Sequence, residues 1–229
     1  MKTVNVLLEG DKDVYFLREF ILQRFPCFLR EENSIPHRLA KEPAEMIDEQ
    51  HRVKVILYKM GGFRKVVSHA DLLLPKADVR ENFSAAVVFD SDYPASGDSG
   101  GQNDRRNWIK KAVKDSRRHV DLTDDLLFLF PDNKDDGDLE VLMERMVSDT
   151  DPHRSFLDVC WRNFDDCVKK HGFNPLSQKS KLNEYSAAFN ADTWSDGGVN
   201  AAFSDESLWN WNAAALNPLY NFLQRIIVV

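Results

Sequence analysis

Three groups of carboxylates in this 229-residue chain follow directly on short apolar runs. Residues 4–8 lead into Glu9-Gly10-Asp11-Lys12-Asp13, residues 85–89 into Asp90-Ser91-Asp92, and residues 126–130 into a stretch holding Asp132, Asp135, Asp136, Asp138 and Glu140. Apolar runs of this length, separated by helical patterns, predict strands of a parallel α/β sheet. Every strand of such a sheet points its carboxyl end to one edge, where ligands bind. Three acidic groups from distant parts of the chain would then meet there, and converging hard oxygen ligands is how proteins hold Mg²⁺ or Mn²⁺.

The individual residues differ in what else they can be. Glu9 ends a strand with glycine next, which permits a tight turn and leaves the carboxylate at the edge as metal ligand or general base. Asp11 reads as a helix cap, and Asp13 is open to both roles. Asp90 and Asp92 are two apart, so in extended chain both face one side and can reach one cation. An EF-hand reading of residues 132–143 fails. With Gly137 sixth in the loop, positions three and twelve are Lys134 and Met143, neither a carboxylate. Glu140 falls in the first turn of the next helix, off its apolar face, and can turn toward the sheet edge.

The elements that must carry these residues can be read in order. Val14, Leu17, Ile21, Leu22 and Phe25 repeat at helical spacing up to Pro26. Residues 30–50 read as a polar loop with a short helix. Residues 53–58 give the second strand, and Met60-Gly61-Gly62 turns into a helix over about 63–74. Residues 93–104 carry Pro94, Gly97, Gly100 and Gly101 and read as a loop beside the acidic edge. A helix then bears Leu139, Leu142, Met143 and Met146. Another begins at Asp151-Pro152 with Phe156, Val159, Cys160, Phe164, Cys167 and Val168 on its expected inner side. Residues 179–189 form a further helix. Asn217-Pro218 starts the last, and Trp209 and Trp211 are expected to pack it onto the body.

Composition narrows the function classes. Hydrophobic residues make up 43% and charged residues 29%, which is ordinary for a globular chain. No apolar run approaches the ~20 residues that span a membrane. No secretory leader is expected from the opening residues. Cys27, Cys160 and Cys167 are odd in number and lack CxxC spacing, which predicts reduced thiols and a cytoplasmic protein. A net charge of −7 argues against coating nucleic acid by bulk charge. Between Arg105 and Arg118, however, stand Arg105, Arg106, Lys110, Lys111, Lys114, Arg117 and Arg118, opposed only by Asp115. This helix reads either as a solvated face or as a phosphate-backbone contact led by Arg105, Arg106 and Lys110. No phosphate loop and no GxGxxG motif is present, and the glycine-rich run from Ser96 to Gly101 does not lie between a strand and a helix at phosphate-loop spacing.

The pattern of a strand with Glu9-Gly10 and a later strand with Asp90-Ser91-Asp92 resembles the Toprim domain of topoisomerases, bacterial primases and the overcoming-lysogenization nucleases. The resemblance covers roughly residues 3–148. Leu7-Leu8-Glu9-Gly10-Asp11-Lys12-Asp13, Phe130-Pro131-Asp132-Asn133 with Gly137-Asp138-Leu139-Glu140, Lys179-Ser180-Lys181-Leu182 and Leu216-Asn217-Pro218-Leu219 are together similar to a family of uncharacterised bacterial Toprim-like proteins. The resemblance implies a Toprim-like, Rossmann-like α/β domain over residues 1–150, with a helical extension over 151–229 packed on the same body. It implies Glu9 as general acid or base and Asp90 and Asp92 as Mg²⁺ ligands. Likeness to the overcoming-lysogenization nucleases adds Glu140 as a further ligand and a lysine, Lys179 or Lys181, with Lys179 favoured. The tyrosine-bearing domain of a topoisomerase and the zinc and helicase-binding parts of a primase have no counterpart, and any ATPase would be a separate partner protein.

Two functions are therefore expected to compete. One is metal-dependent phosphodiester hydrolysis or phosphoryl transfer on DNA or RNA. The other is a non-catalytic Toprim-like regulatory protein that binds nucleic acid or a protein partner. No membrane partner is expected.

Overall fold

The computed structural model describes residues 1–29, 43–75, 82–94, 100–150, 152–175, 177–189, 203 and 205–228. Five strands form one sheet: β1 (Lys2–Leu8), β2 (Ala44–Ile47), β3 (Val53–Lys59), β4 (Phe83–Asp90) and β5 (Leu127–Phe130). Their spatial order is β2-β3-β1-β4-β5. β1 runs parallel to β3 and β4, and β4 runs parallel to β5. Only the edge strand β2 is antiparallel to its neighbour. The fold is thus α/β and Rossmann-like, with a mostly parallel sheet flanked by helices, as expected.

The strands read as continuous apolar runs because both faces are covered. On one face lie α1 (Asp11–Arg24), α3 (Leu139–Arg145), α6 (Gln178–Phe189) and α7 (Asn217–Ile227). Phe16, Leu17 and Phe20 of α1, Leu142 of α3, Tyr185 of α6 and Phe222 of α7 are buried there in one cluster with Val4, Val6 and Phe128. The C-terminal helices therefore complete the same core as the sheet. Trp209 and Trp211 are buried in that cluster, and Trp211 stacks on Phe16 at 5.8 Å. The opposite face is covered by a 3₁₀ helix (Phe63–Leu73) and α2 (Gln102–Lys114), through Val66, Ile109 and Val113.

Three expectations need correction. Residues 44–47, read as part of a loop, form β2. Its Ala44 and Met46 face inward while Glu45 faces out, a strand too short for alternation to stand out among acidic neighbours. The helix after Gly61-Gly62 is 3₁₀ rather than α. The helical run of α4 (His153–Ser155), a π turn (Phe156–Trp161) and α5 (Arg162–Lys170) buries only Leu157. Val159, Cys160, Phe164 and Cys167, read as inward, are exposed. All three cysteines are unpaired. The loop over 93–104 lies partly outside the described residues, because 95–99 are not among them.

Candidate metal centre

β1 and β4 are adjacent, yet the helix that follows β1 packs on one face of the sheet and the helix that follows β4 packs on the other. This is the arrangement in which an open α/β sheet leaves a crevice outside its carboxyl ends. The register pairs Leu8 with Val88, so Glu9 is level with Phe89, one residue before Asp90, and both carboxylates line that crevice.

The turn after β3 secures Glu9. The N–H groups of Gly61 and Gly62 donate to the Glu9 carbonyl at 2.8 and 3.1 Å. Both glycines have positive φ, 75° and 117°, which a side chain would oppose. The backbone N–H groups of Phe63 and Asp90 favour the charged form of the Glu9 carboxylate. Its Oε2 is buried without a hydrogen-bond partner among the described residues. Burial raises the Glu9 pKa, and the Arg105 charge opposes that rise.

Asp13, Asp90 and Glu140 join Glu9 in one cleft of about 450 Å³, lined also by Asp11, Lys12, Lys179 and Asn183. Asp13 caps α1 by accepting the Gly10 N–H at 2.7 Å. It also stands in the cleft. Burial pushes its pKa from 3.8 up to about 7, helped by the charges of Glu9 and Glu140. Asp90 accepts the Leu139 N–H at 2.9 Å, which ties the start of α3 to the end of β4 and brings Glu140 inward. Burial drives the Asp90 pKa well up, reinforced by Asp13, Glu9 and Glu140. Asp138, the N-cap of α3, is raised too, first by burial and then by Glu140. The excess negative charge is answered by Lys12, whose Nζ lies 2.7 Å from Glu140 Oε1.

Asp92 does not share this cleft's lining. Its φ is +56°, so the chain leaves extended geometry between Asp90 and Asp92, and the two carboxylates diverge. Asp92 pairs instead with Arg105 and exchanges backbone hydrogen bonds with Gly137. Arg105 is only 2% exposed and lies 3.5 Å over the ring of Phe63. That burial removes it from any phosphate-backbone surface. Its place in the sequence among six other cations hid this role. Arg106 and Lys110 are directed to Asp124, at 3.2 Å each. Lys111, Lys114, Arg117 and Arg118 are the exposed cations of the segment.

The two candidate lysines separate clearly. Lys179 lines the cleft, one helical turn before Asn183. Lys181 pairs with Glu144. The acidic stretch 132–138 is a closed turn: Asp132 accepts the N–H groups of Lys134 and Asp135 and pairs with Arg145, as does Asp135.

Among the described residues, no group of three Asp, Glu, His or Cys side chains is spaced to hold a metal ion as it stands. The chemistry of the donor set still fits a hard divalent cation. Glu9, Asp13 and Asp90 are oxygen donors, crowded and buried, with one Glu9 oxygen unsatisfied. Two residues escaped the sequence reading: Lys12, whose signal was its position between two aspartates, and Asn183, four residues beyond Lys179.

No curated protein and no solved structure matches the chain. The family described as "Protein of unknown function (DUF3226)" matches residues 3–228, and the chain belongs to that family.

Proposed function

We propose that the chain is a Toprim-type, Mg²⁺- or Mn²⁺-dependent phosphodiesterase acting on nucleic acid. The observation that carries this reading is the meeting of Glu9, Asp13, Asp90 and Glu140, from three distant segments, in one cleft with Lys179. Glu9, Asp13 and Asp90 would hold the cation, with Glu140 joining when released from Lys12. A bound cation supplies charge to polarise the scissile phosphate and lowers the pKa of a coordinated water. Glu9, with its raised pKa, is suited to hold or return a proton at the attacking or leaving oxygen. Lys179 is placed to offset charge that develops on the phosphoryl oxygens. Asp92 acts through Arg105 as a support for the edge.

The test is cleavage of single- and double-stranded DNA and of RNA with Mg²⁺ or Mn²⁺, by the wild type and by Glu9→Gln. The expected result is metal-dependent cleavage that falls about 10²–10⁴-fold in the variant. Absence of metal-dependent cleavage on every substrate, or equal cleavage by the variant, would overturn the reading. A non-catalytic binding protein is the second reading. It is favoured by the inward and ion-paired disposition of Arg105, Arg106 and Lys110, which leaves α2 a weaker phosphate-binding surface.

A further inference from the structure

A second cavity, of about 500 Å³, is lined by Thr3 and Asn5 from the first part of β1 and by Lys54, Ile56 and Tyr58 along β3, and shares no residue with the acidic cleft. Its floor is Asn5, in the middle of the central strand and 7% exposed. The Asn5 side-chain nitrogen donates to the Leu72 carbonyl at 2.8 Å, at the end of the 3₁₀ helix. Its other half, Oδ1, is buried with no hydrogen-bond partner among the described residues. A buried amide left half-satisfied costs free energy that an apolar residue at this position would avoid. The acceptor is therefore an invitation to a donor from outside.

The rest of the lining is assorted in a useful way. Ile56, Tyr58 and Phe83 offer apolar and aromatic surface, and Asp71 and Arg118 are exposed members of the same lining. Burial raises the Tyr58 hydroxyl's pKa, with the charges of Glu45 and Asp71 adding to it, so the phenol keeps its proton as a donor. We propose that this cavity is a binding site for a ribonucleotide, with the base against the aromatic and aliphatic wall and an N–H of the base donating to Asn5 Oδ1. Asp71 then accepts from the ribose hydroxyls, a task suited to a carboxylate. Arg118 takes the phosphate, for which its planar fork is suited. A nucleotide is of the right class because each of its three parts meets a different one of these groups. The size agrees with ordinary small-molecule sites. The proposal is independent of the acidic cleft, since none of its residues lines both.

The experiment is calorimetric titration of the full chain with AMP, CMP, GMP and UMP, each beside its nucleoside and beside ribose 5-phosphate. EDTA is present throughout, which excludes metal-bridged binding in the acidic cleft. The expected result is saturable one-site binding of at least one nucleotide. Arg118→Ala should weaken it about tenfold and abolish the preference for nucleotide over nucleoside. Asp71→Asn should weaken it less, and Glu9→Gln should leave it unchanged. Asn5→Leu, checked for folding by circular dichroism, should abolish it. Four results overturn the proposal: no saturable binding of any nucleotide, ribose 5-phosphate binding as well as the nucleotides, affinity within twofold of wild type in both Arg118→Ala and Asp71→Asn, or loss of binding in Glu9→Gln.

Discussion

Lys12 Nζ and Glu140 Oε1 meet at 2.7 Å although 128 residues separate them in sequence. Each stands in the first turn of a helix, one after β1 and the other after β5. The pair fastens two helix starts across the carboxyl edge of the sheet. It also places the cleft's compensating cation beside Asp13, whose proton affinity it lowers. Both side chains are largely buried, so the pair is little screened by solvent.

The two partners are therefore unequal. Lys12→Met removes the cation and leaves Glu140 facing Asp13 and Asp90. Glu140→Gln removes the pair but also relieves repulsion on those same carboxylates. Urea denaturation at pH 7.5 should show Lys12→Met destabilised by about 2–4 kcal/mol and Glu140→Gln by clearly less. Equal losses would mean that the pair, and not the repulsion around it, dominates.

Stability should fall as pH rises through the acid range. Asp13 moves from 3.8 to about 7 on folding. An acid whose folded pKa lies above its unfolded value binds its proton more tightly in the native state. The native state is then favoured below 3.8 and loses that advantage as pH climbs to about 7. Glu9, Asp90 and Asp138 shift in the same direction and add to the slope. Asp13→Asn keeps an oxygen for the Gly10 N–H and removes the titration. Its stability should exceed the wild type's at pH 8, by an amount that shrinks as pH falls toward 4. A pH profile identical to the wild type's would show that Asp13 is not protonated as described.

Divalent cations should act against this trend. Protons and cation compete for the same oxygens, so stabilisation by a cation grows with pH. At 5 mM Mn²⁺ the melting temperature is expected to rise by several degrees at pH 8, by much less at pH 5.5, and not at all in Asp90→Asn. Differential scanning fluorimetry at the two pH values decides this. A shift that survives Asp90→Asn would place the cation elsewhere.

How much of this was legible in the sequence depends on what each feature rests on. The edge positions of Glu9 and Asp90 follow from apolar runs that end in acids, whereas Glu140, in the first turn of α3, is brought in by the Leu139 N–H bond to Asp90. The fate of Asp92 rests on one left-handed residue at +56°, and aspartate tolerates that conformation without announcing it. The burial of Arg105 depends on Phe63, brought to it by the glycine turn, and nothing local in residues 102–114 distinguishes it from Arg106. The helical run over 153–170 shows the limit most plainly. Its apolar spacing is real, but spacing states only that one face is apolar, not that the face finds a partner in this chain. Lys12 was hidden because an ion pair across 128 residues has no local signature.

The two lysines of α6 provide a functional separation. Lys179 lines the cleft, and Lys181, two residues on, is turned to Glu144 of α3. Lys179→Ala should reduce metal-dependent cleavage by 10²-fold or more while the melting temperature stays within about a degree or two. Lys181→Ala should do the reverse, costing about 1 kcal/mol of stability and leaving cleavage near wild type. The reverse pattern, activity lost with Lys181 alone, would move the catalytic cation from the cleft to the α3–α6 contact.

Arg105 provides the last separation, between a structural cation and a binding one. It is enclosed by Phe63 and Asp92, and its charge lowers the pKa of Glu9. Arg105→Ala deletes a buried side chain, a cation–π contact and an ion pair together, and strands the Asp92 carboxylate. The loss should be about 3–5 kcal/mol in chemical denaturation. Arg105→Lys keeps the charge but lacks the flat face that lies on Phe63, so it should recover only part of that stability. Arg105→Lys should leave the salt dependence of nucleic-acid affinity as it is in the wild type, because a buried group releases no counterions. Lys111→Ala/Lys114→Ala, both on the exposed side of α2, should flatten that dependence by up to about two units if this helix meets the phosphate backbone. A changed slope in Arg105→Lys, measured where the variant is fully folded, would return Arg105 to the binding surface. An unchanged slope in the double lysine variant would retire α2 from substrate contact and leave the exposed cations elsewhere on the chain to hold the nucleic acid.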